Sequence, residues 1–201
     1  MSDVLNPSVQ PPWPDHVPRL FTVADVAEMP TYLPSGSVRY ELHHGRLITM
    51  PPAAADHSFI EGNLFAALKI QGEFKGLGKA GVGEAGIILG RNPDHLYGAD
   101  ALFVTNARLP IRRSPEGYFE TIPELVVEVR SKNETLASLQ RKAQDYLAAG
   151  GVVVWVVDPI NRNVVEYRSD VPPRTYAETD TLTVEDVIPG FALPVSEALR
   201  T

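Results

Sequence analysis

The chain has 201 residues, is 44% apolar and 21% charged, contains no cysteine and carries a formal net charge of −7. That composition suits a globular core burying about 70% of the unfolded chain's surface, and it excludes disulfides and thiolate metal sites. The acidic balance argues against a protein that coats nucleic acid passively, but not against an enzyme whose carboxylates hold metal ions.

Residues 1–20 carry five prolines and no helical or strand period, which predicts an extended tail ahead of one domain over 21–201. The N-terminal stretch lacks a basic segment followed by an apolar one, and the longest apolar run, "GVVVWVV", is too short to span a bilayer. No secretory signal and no membrane partner are expected, and a cytoplasmic location suits a chain without cysteine. In "TVADVAEMP", Thr22 and Asp25 form a variant capping box for a short helix that Pro30 stops. "VRYELHHGRLITM" reads as a hairpin turning at "HHG", with Gly45 supplying positive φ.

In "DHSFIEGNLFAALKIQGEF", Ile60, Leu64, Ala67 and Leu68 mark the apolar stripe of a helix, with Asp56 as its expected N-cap. A glycine-rich stretch, "GLGKAGVGEAGIILG", then leads into a short strand. "ADALFV" and "ELVVEV" read as strands, "ETLASLQRKAQDYLAAG" as a helix, "VVVWVVD" and "NVVEYR" as further strands, and "VIPGFALP" as a closing loop. The unit over 124–157 has two wholly apolar strands around a helix long enough for a parallel crossover. The fold class is therefore α/β, or α+β-like, with a mixed sheet.

Several motifs fail on context. "GLGKAG" and "GVGEAG" each fit G-x-G-x-x-G, yet a helix precedes them and a strand follows, the reverse of what dinucleotide binding requires. A flexible or bulged approach to a strand explains them better. "GKA" lacks the first glycine and the hydroxyl of a phosphate-binding loop, and no G-x-S-x-G occurs. Ser131 reads as a helix cap, because "SKNE" forms a capping box with Glu134. His43 and His44 sit together in the hairpin turn, and no helical H-x-x-x-H pair exists. His57 shares the core-facing stripe of Ile60 and Leu64, where a satisfied interior histidine is the simpler expectation.

Two carboxylates survive this filter. Asp100 interrupts "GADALFV" and Glu128 interrupts "ELVVEV", and an unpaired charge in a buried strand is costly. Period-two alternation puts Asp100 on a face with Leu102, and Glu128 on one with Val126 and Arg130. Such carboxylates need a basic side chain or a divalent cation between them, and hard oxygen donors favour magnesium or manganese. On the following helix, Lys142 lies about 40° beyond Tyr146 at the border of the apolar arc, whereas Arg141 points away. A lysine there can bring its ammonium to the sheet, either as a structural ion pair with Glu128 or in a catalytic role.

The order strand-Asp, strand-Glu and nearby lysine resembles the PD-(D/E)XK nuclease superfamily. More closely, "YELHHGRLITM", "DHSFIEGNL", "GADALFV", "PELVVEVRS", "KAQDYLAAG", "VVVWVVDP" and "VIPGFALP" together resemble the Uma family of bacterial restriction-endonuclease-like proteins, over most of residues 22–198. The resemblance implies a restriction-endonuclease-like mixed central sheet flanked by helices, and Mg²⁺- or Mn²⁺-dependent hydrolysis of phosphodiester bonds in nucleic acid, DNA rather than RNA. It implies that Glu41, Asp100, Glu128 and Lys142 are catalytic, that Asp100 and Glu128 hold the metal, and that His57 and Arg130 line the cleft. A homodimer is an expected assembly, since superfamily members often pair. Two departures stand out: Ala99 replaces the usual proline before the aspartate, and Arg130 occupies the strand position where the wider superfamily carries its lysine. Arginine cannot exchange a proton near neutral pH, which leaves Lys142, with Lys132 as a further candidate. Other readings are a nuclease-like binding module that does not cleave, and a metal-dependent hydrolase of another substrate.

Overall fold

A computed structural model describes residues 19–34, 36–50, 52, 54–132 and 134–201. The expected proline-rich tail falls, except for its last two residues, outside the described residues. The described residues open with α1 (Val23–Ala27), the strand pair β1 (Tyr32–Leu33) and β2 (Gly36–Ser37), the hairpin β3 (Arg39–His43) and β4 (Arg46–Met50), and α2 (Ala55–Leu68), which continues as a π-helical turn over Lys69–Glu73. Then come β5 (Gly78–Gly90), β6 (His95–Thr105), β7 (Leu125–Val129), α3 (Leu136–Ala148), β8 (Val153–Asp158), β9 (Asn163–Tyr167) and β10 (Arg174–Ala177). A last strand pair, β11 (Thr181–Leu182) with β12 (Leu193–Pro194), runs into α4 (Val195–Ala198).

Local chemistry explains most boundaries. The Thr22 side chain accepts from the Asp25 N–H while the Asp25 carboxylate accepts from the Thr22 N–H, the reciprocal cap expected from the sequence. The hairpin turns through His44 (φ 52°) and Gly45 (φ 77°), the pair of positive φ angles that a two-residue turn matched to strand twist requires. Two expected caps are corrected. Helix α2 starts after Ala54 without a side-chain cap, and Asp56 instead sits in the first turn, where its charge favours the helix dipole. Helix α3 is capped by Thr135, whose side chain accepts from the Ser138 N–H. Ser131 and Glu134 close a separate turn before it.

The main sheet is mixed and flanked by helices, with the order β10-β9-β8-β7-β6-β3-β4 and β5 paired to β6. Strands β7 and β8 are parallel across α3, as the crossover pattern predicted, and the remaining pairs are antiparallel. Leu125, Val127 and Val129 pack with α2 and the C-terminal segment, while Val126 packs with Leu139, Ala143 and Tyr146 of α3. A third cluster joins α1 to Leu42, Ile88 and Leu96. No helix among the described residues is long and apolar enough to cross a membrane.

Two features of β5 and β6 depart from the sequence expectation and prepare the site. The glycine stretch is not a short strand's approach but most of a 13-residue strand. It is bulged: Val82 pairs with Ala101 and Ala85 with Ala99, so Gly83 and Glu84 together oppose Asp100. Gly83 (φ 91°) and Glu84 (φ 54°) both take positive φ there. Across this bulge the alternation of β6 slips. Tyr97, Ala99 and Leu102 all pack on the α3 side, whereas Ala101 and Phe103 pack on the α2 side. The shared face expected for Asp100 and Leu102 does not hold for that reason.

Candidate functional site

One edge of β6 is followed by β5, and the other is shared by β7 at Ala101–Phe103 and β3 at Leu96. Between those contacts β3 and β7 diverge, and no described strand pairs with residues 97–100 on that edge. The Gly98 N–H donates instead to a side chain, Glu41 Oε1, at 3.1 Å. The gap opens into a cleft of about 290 Å³ lined by Glu41, His57, Glu84, Asp100, Glu128 and Lys142, with Arg39 and Lys132 also on its wall.

Lys142 ties two of the carboxylates together. Its Nζ donates to Glu41 Oε1 at 2.9 Å and Glu128 Oε2 at 2.7 Å, and it lies 5.1 Å from the centre of the Tyr97 ring. The Tyr146 hydroxyl donates to Glu128 Oε1 at 2.8 Å. Glu128 and Lys142 meet as strand alternation and helical angle suggested, whereas Glu41 was expected only from the family resemblance. Burial alone would raise the Glu41 carboxyl, but Lys142, His43 and the Gly98 N–H hold it well below the usual range. Glu128 is raised: its burial and the charges of Asp100 and Glu41 outweigh the pull of Lys142. Burial opposes the charge of Lys142, yet its two carboxylates keep its pKa well above the ordinary lysine value.

Asp100 belongs to a second group, on the α2 side. Its Oδ2 accepts from the Val129 N–H at 2.6 Å and lies 3.3 Å from His57 Nε2, while Oδ1 meets no donor among the described residues. His57 Nε2 is also 3.1 Å from the Val129 carbonyl, which can only accept, so Nε2 carries a hydrogen. The opposite ring nitrogen, Nδ1, is buried and has no hydrogen-bond partner among the described residues, and Glu61 Oε2 lies 3.9 Å from it. His57 is therefore interior, as its stripe suggested, but not satisfied. Burial lowers its pKa, and Asp100, Glu61 and Glu84 raise it further than burial lowers it. His57, Glu61 and Asp100 each offer a ligand atom within 4.8 Å of the others'.

Glu61 and Glu84 are the site residues that the sequence reading omitted. Glu61 stands one helical turn after His57, a spacing that was readable. Its Oε1 accepts from the Gly83 N–H of the bulge at 2.8 Å, and burial and the Asp100 charge raise its pKa. Glu84 depends on the bulge itself and had no signal. Burial and Asp100 push its carboxyl up to about 7, with Arg39, its ion-pair partner, opposing them.

Arg130 is not where the cleft-lining expectation put it. Its guanidinium is drawn to Asp158, at 3.0 Å, and to the Glu134 carbonyl, because the buried Asp158 on neighbouring β8 needs a cation. Lys132, two residues on, is exposed and does line the cleft. Arg112 and Arg113 line other surfaces.

The profile of the Uma2 family, described as "Putative restriction endonuclease", matches residues 24–196. Among solved structures, a 1.96 Å crystal structure from Anabaena variabilis, described as a "putative nuclease belonging to DUF820", is similar with a TM-score of 0.72. That likeness covers 89% of this chain and 97% of the other at 17% identity, and speaks for the fold. No curated protein matches. With a family match over nearly all the described residues, the chain belongs to the Uma2 family.

Proposed function

We propose that the chain is a Mg²⁺- or Mn²⁺-dependent endonuclease that hydrolyses phosphodiester bonds of nucleic acid, DNA in preference to RNA, in a reducing cytoplasm. The observation that carries this reading is the convergence of Glu41, Asp100, Glu128 and Lys142 on one open cleft at a gap in the sheet, in a chain of this family.

Asp100 and Glu128 are the residues that would hold the metal. The donor set fits: Asp100 Oδ1 meets no donor among the described residues, and each Glu128 oxygen, although already hydrogen-bonded, keeps a second lone pair. Bound there, such an ion supplies Lewis acidity and a more acidic water. The protein's own groups do the rest. Lys142, with two of its three N–H bonds committed, holds a fixed positive charge against the negative charge that develops at phosphorus. Glu41 keeps that ammonium in place. The exposed Lys132 is suited to a phosphate contact at the rim. A cleft of this volume takes a phosphodiester and its immediate neighbours, so a strand would lie across its mouth.

The occupied oxygens of Glu128 and the net charge of −7 favour one other reading, a nuclease-like binding module that does not cleave. Incubating plasmid, linear DNA and RNA with Mg²⁺ or Mn²⁺ separates the two. Cleavage by the parent, abolished in both Asp100→Asn and Glu128→Gln, is the expected result. Binding without cleavage would establish the module instead.

A further inference from the structure

We infer that His57, Glu61 and Asp100 form a second cation seat, one that takes a nitrogen-accepting transition ion such as Mn²⁺ in preference to Mg²⁺ or Ca²⁺. The seat lies on the α2 side of Asp100, away from the Glu128–Lys142 pair. It shares Asp100 with the site proposed above, and builds on that cleft without requiring cleavage or nucleic acid.

Three observations carry it. His57 is nine-tenths buried, yet its Nδ1 has no hydrogen-bond partner among the described residues. A histidine that ligates a metal through one ring nitrogen almost always donates the other N–H to a carbonyl or carboxylate. His57 does this already, through Nε2 to the Val129 carbonyl and toward Asp100 Oδ2. That arrangement leaves the buried Nδ1 lone pair free to ligate. Glu61, one turn later on the same helix, puts Oε2 3.9 Å from that nitrogen, within the span that two metal–ligand bonds of about 2.1 Å can bridge. It is too long for a hydrogen bond, so the two groups attract each other without a shared proton.

Glu61 is also held in place from outside the seat. The bulge of β5 turns the Gly83 N–H onto Glu61 Oε1 and leaves Oε2 for the seat, while the Val129 N–H fixes Asp100 Oδ2 and leaves Oδ1. Each carboxylate thus keeps one oxygen oriented and one available. With Glu84 close by, Arg39 paired to it and Lys142 committed to the other pair, this side of the cleft holds several acidic groups. A donor set of one imidazole and two carboxylates suits borderline transition ions better than magnesium or calcium, which prefer all-oxygen surroundings.

The test is Mn²⁺ binding to the full chain without nucleic acid, followed by electron paramagnetic resonance, for the parent, His57→Gln, Glu61→Gln and Glu128→Gln. Circular dichroism melts confirm that each is folded. Nitrogen-14 modulation of the bound-Mn²⁺ echo is expected in the parent and in Glu128→Gln, and is lost in His57→Gln. Glu61→Gln is expected to weaken Mn²⁺ binding about tenfold or more while changing Mg²⁺ competition little. Absence of the nitrogen signal in the parent, or an unchanged Mn²⁺ affinity in folded Glu61→Gln, overturns the seat. Nitrogen-coordinated Mn²⁺ in a protein that cuts nothing upholds the seat and removes the nuclease reading. Cleavage without nitrogen coordination does the reverse.

Discussion

Lys142 is the ammonium that Glu41 and Glu128 share, and its side chain is only 7% exposed. Taking it away leaves two buried carboxylates confronting each other, and breaking a buried ion pair from one side costs about 3–5 kcal/mol. Lys142→Met is expected to lose that much in urea unfolding at pH 8. Adding Glu128→Gln should restore part of it, since the second change removes one of the stranded charges. Equal losses in the single and double variants would mean that the pair contributes no coupling.

Glu84 offers a pH-dependent check on the same cleft. Its folded pKa of about 7 lies above the ordinary value of 4.5, because burial and then the Asp100 charge disfavour ionisation. A raised folded pKa means that the folded state binds the proton more tightly. The stability from that proton is therefore complete below about pH 4.5 and is lost as pH rises through 7. Glu84→Gln mimics the protonated form. Relative to the parent it should gain stability between pH 5 and pH 8, by about 1–2 kcal/mol once partial solvent exposure is discounted. A difference that stays flat over that range would deny the shift.

At the scale of elements, the sequence reading succeeded where one local rule decides and failed where two strands decide together. Thr22 and Asp25 cap α1 because both partners lie within four residues. Lys142 was separable from Arg141 because a helix angle is a local property. The bulge opposite Asp100 is different. It depends on how β5 registers on β6, and it alone re-aims Asp100, presents Glu84 and fixes Glu61, so none of those three placements could be read from alternation. Asp56 failed as a cap for a simpler reason: the helix begins two residues earlier than such a cap requires, at Ala55.

Gly72 is another case in which distant packing sets a residue type. It is buried in the π-helical turn after α2, and a Cβ there would come within 2.5 Å of the Phe103 ring and 3.3 Å of Ile188. Gly72→Ala should cost about 1–3 kcal/mol by overpacking in thermal unfolding, although alanine normally favours a helix. Phe103→Leu added to it should recover part of the loss. A neutral or stabilising Gly72→Ala would mean that the turn is not seated against β6 as closely as the contact implies.

For the molecule as a whole, charge decides how a polyanion could approach. The crossover over 124–157 was legible, because apolar runs and helix length dictate it. The divergence of β3 and β7 that opens the cleft was not, because it depends on where two separate strands leave the same edge. With a net charge of −7, attraction must come from basic groups at the cleft, and most of those nearby are already committed. Lys142 serves two carboxylates, Arg39 pairs with Glu84, and Arg130 pairs with Asp158. Lys132 is the exposed one. Binding that uses two or three phosphate contacts should show a log–log salt slope of about −2 to −3, since each neutralised phosphate contributes roughly −0.9 on duplex DNA. Fluorescence anisotropy with a labelled duplex in Ca²⁺, between 50 and 200 mM KCl, would measure it. Lys132→Ala should reduce the slope by about 1. A slope of about −6 or steeper, unmoved by Lys132→Ala, would place the nucleic acid on a different face, where Arg112 and Arg113 lie.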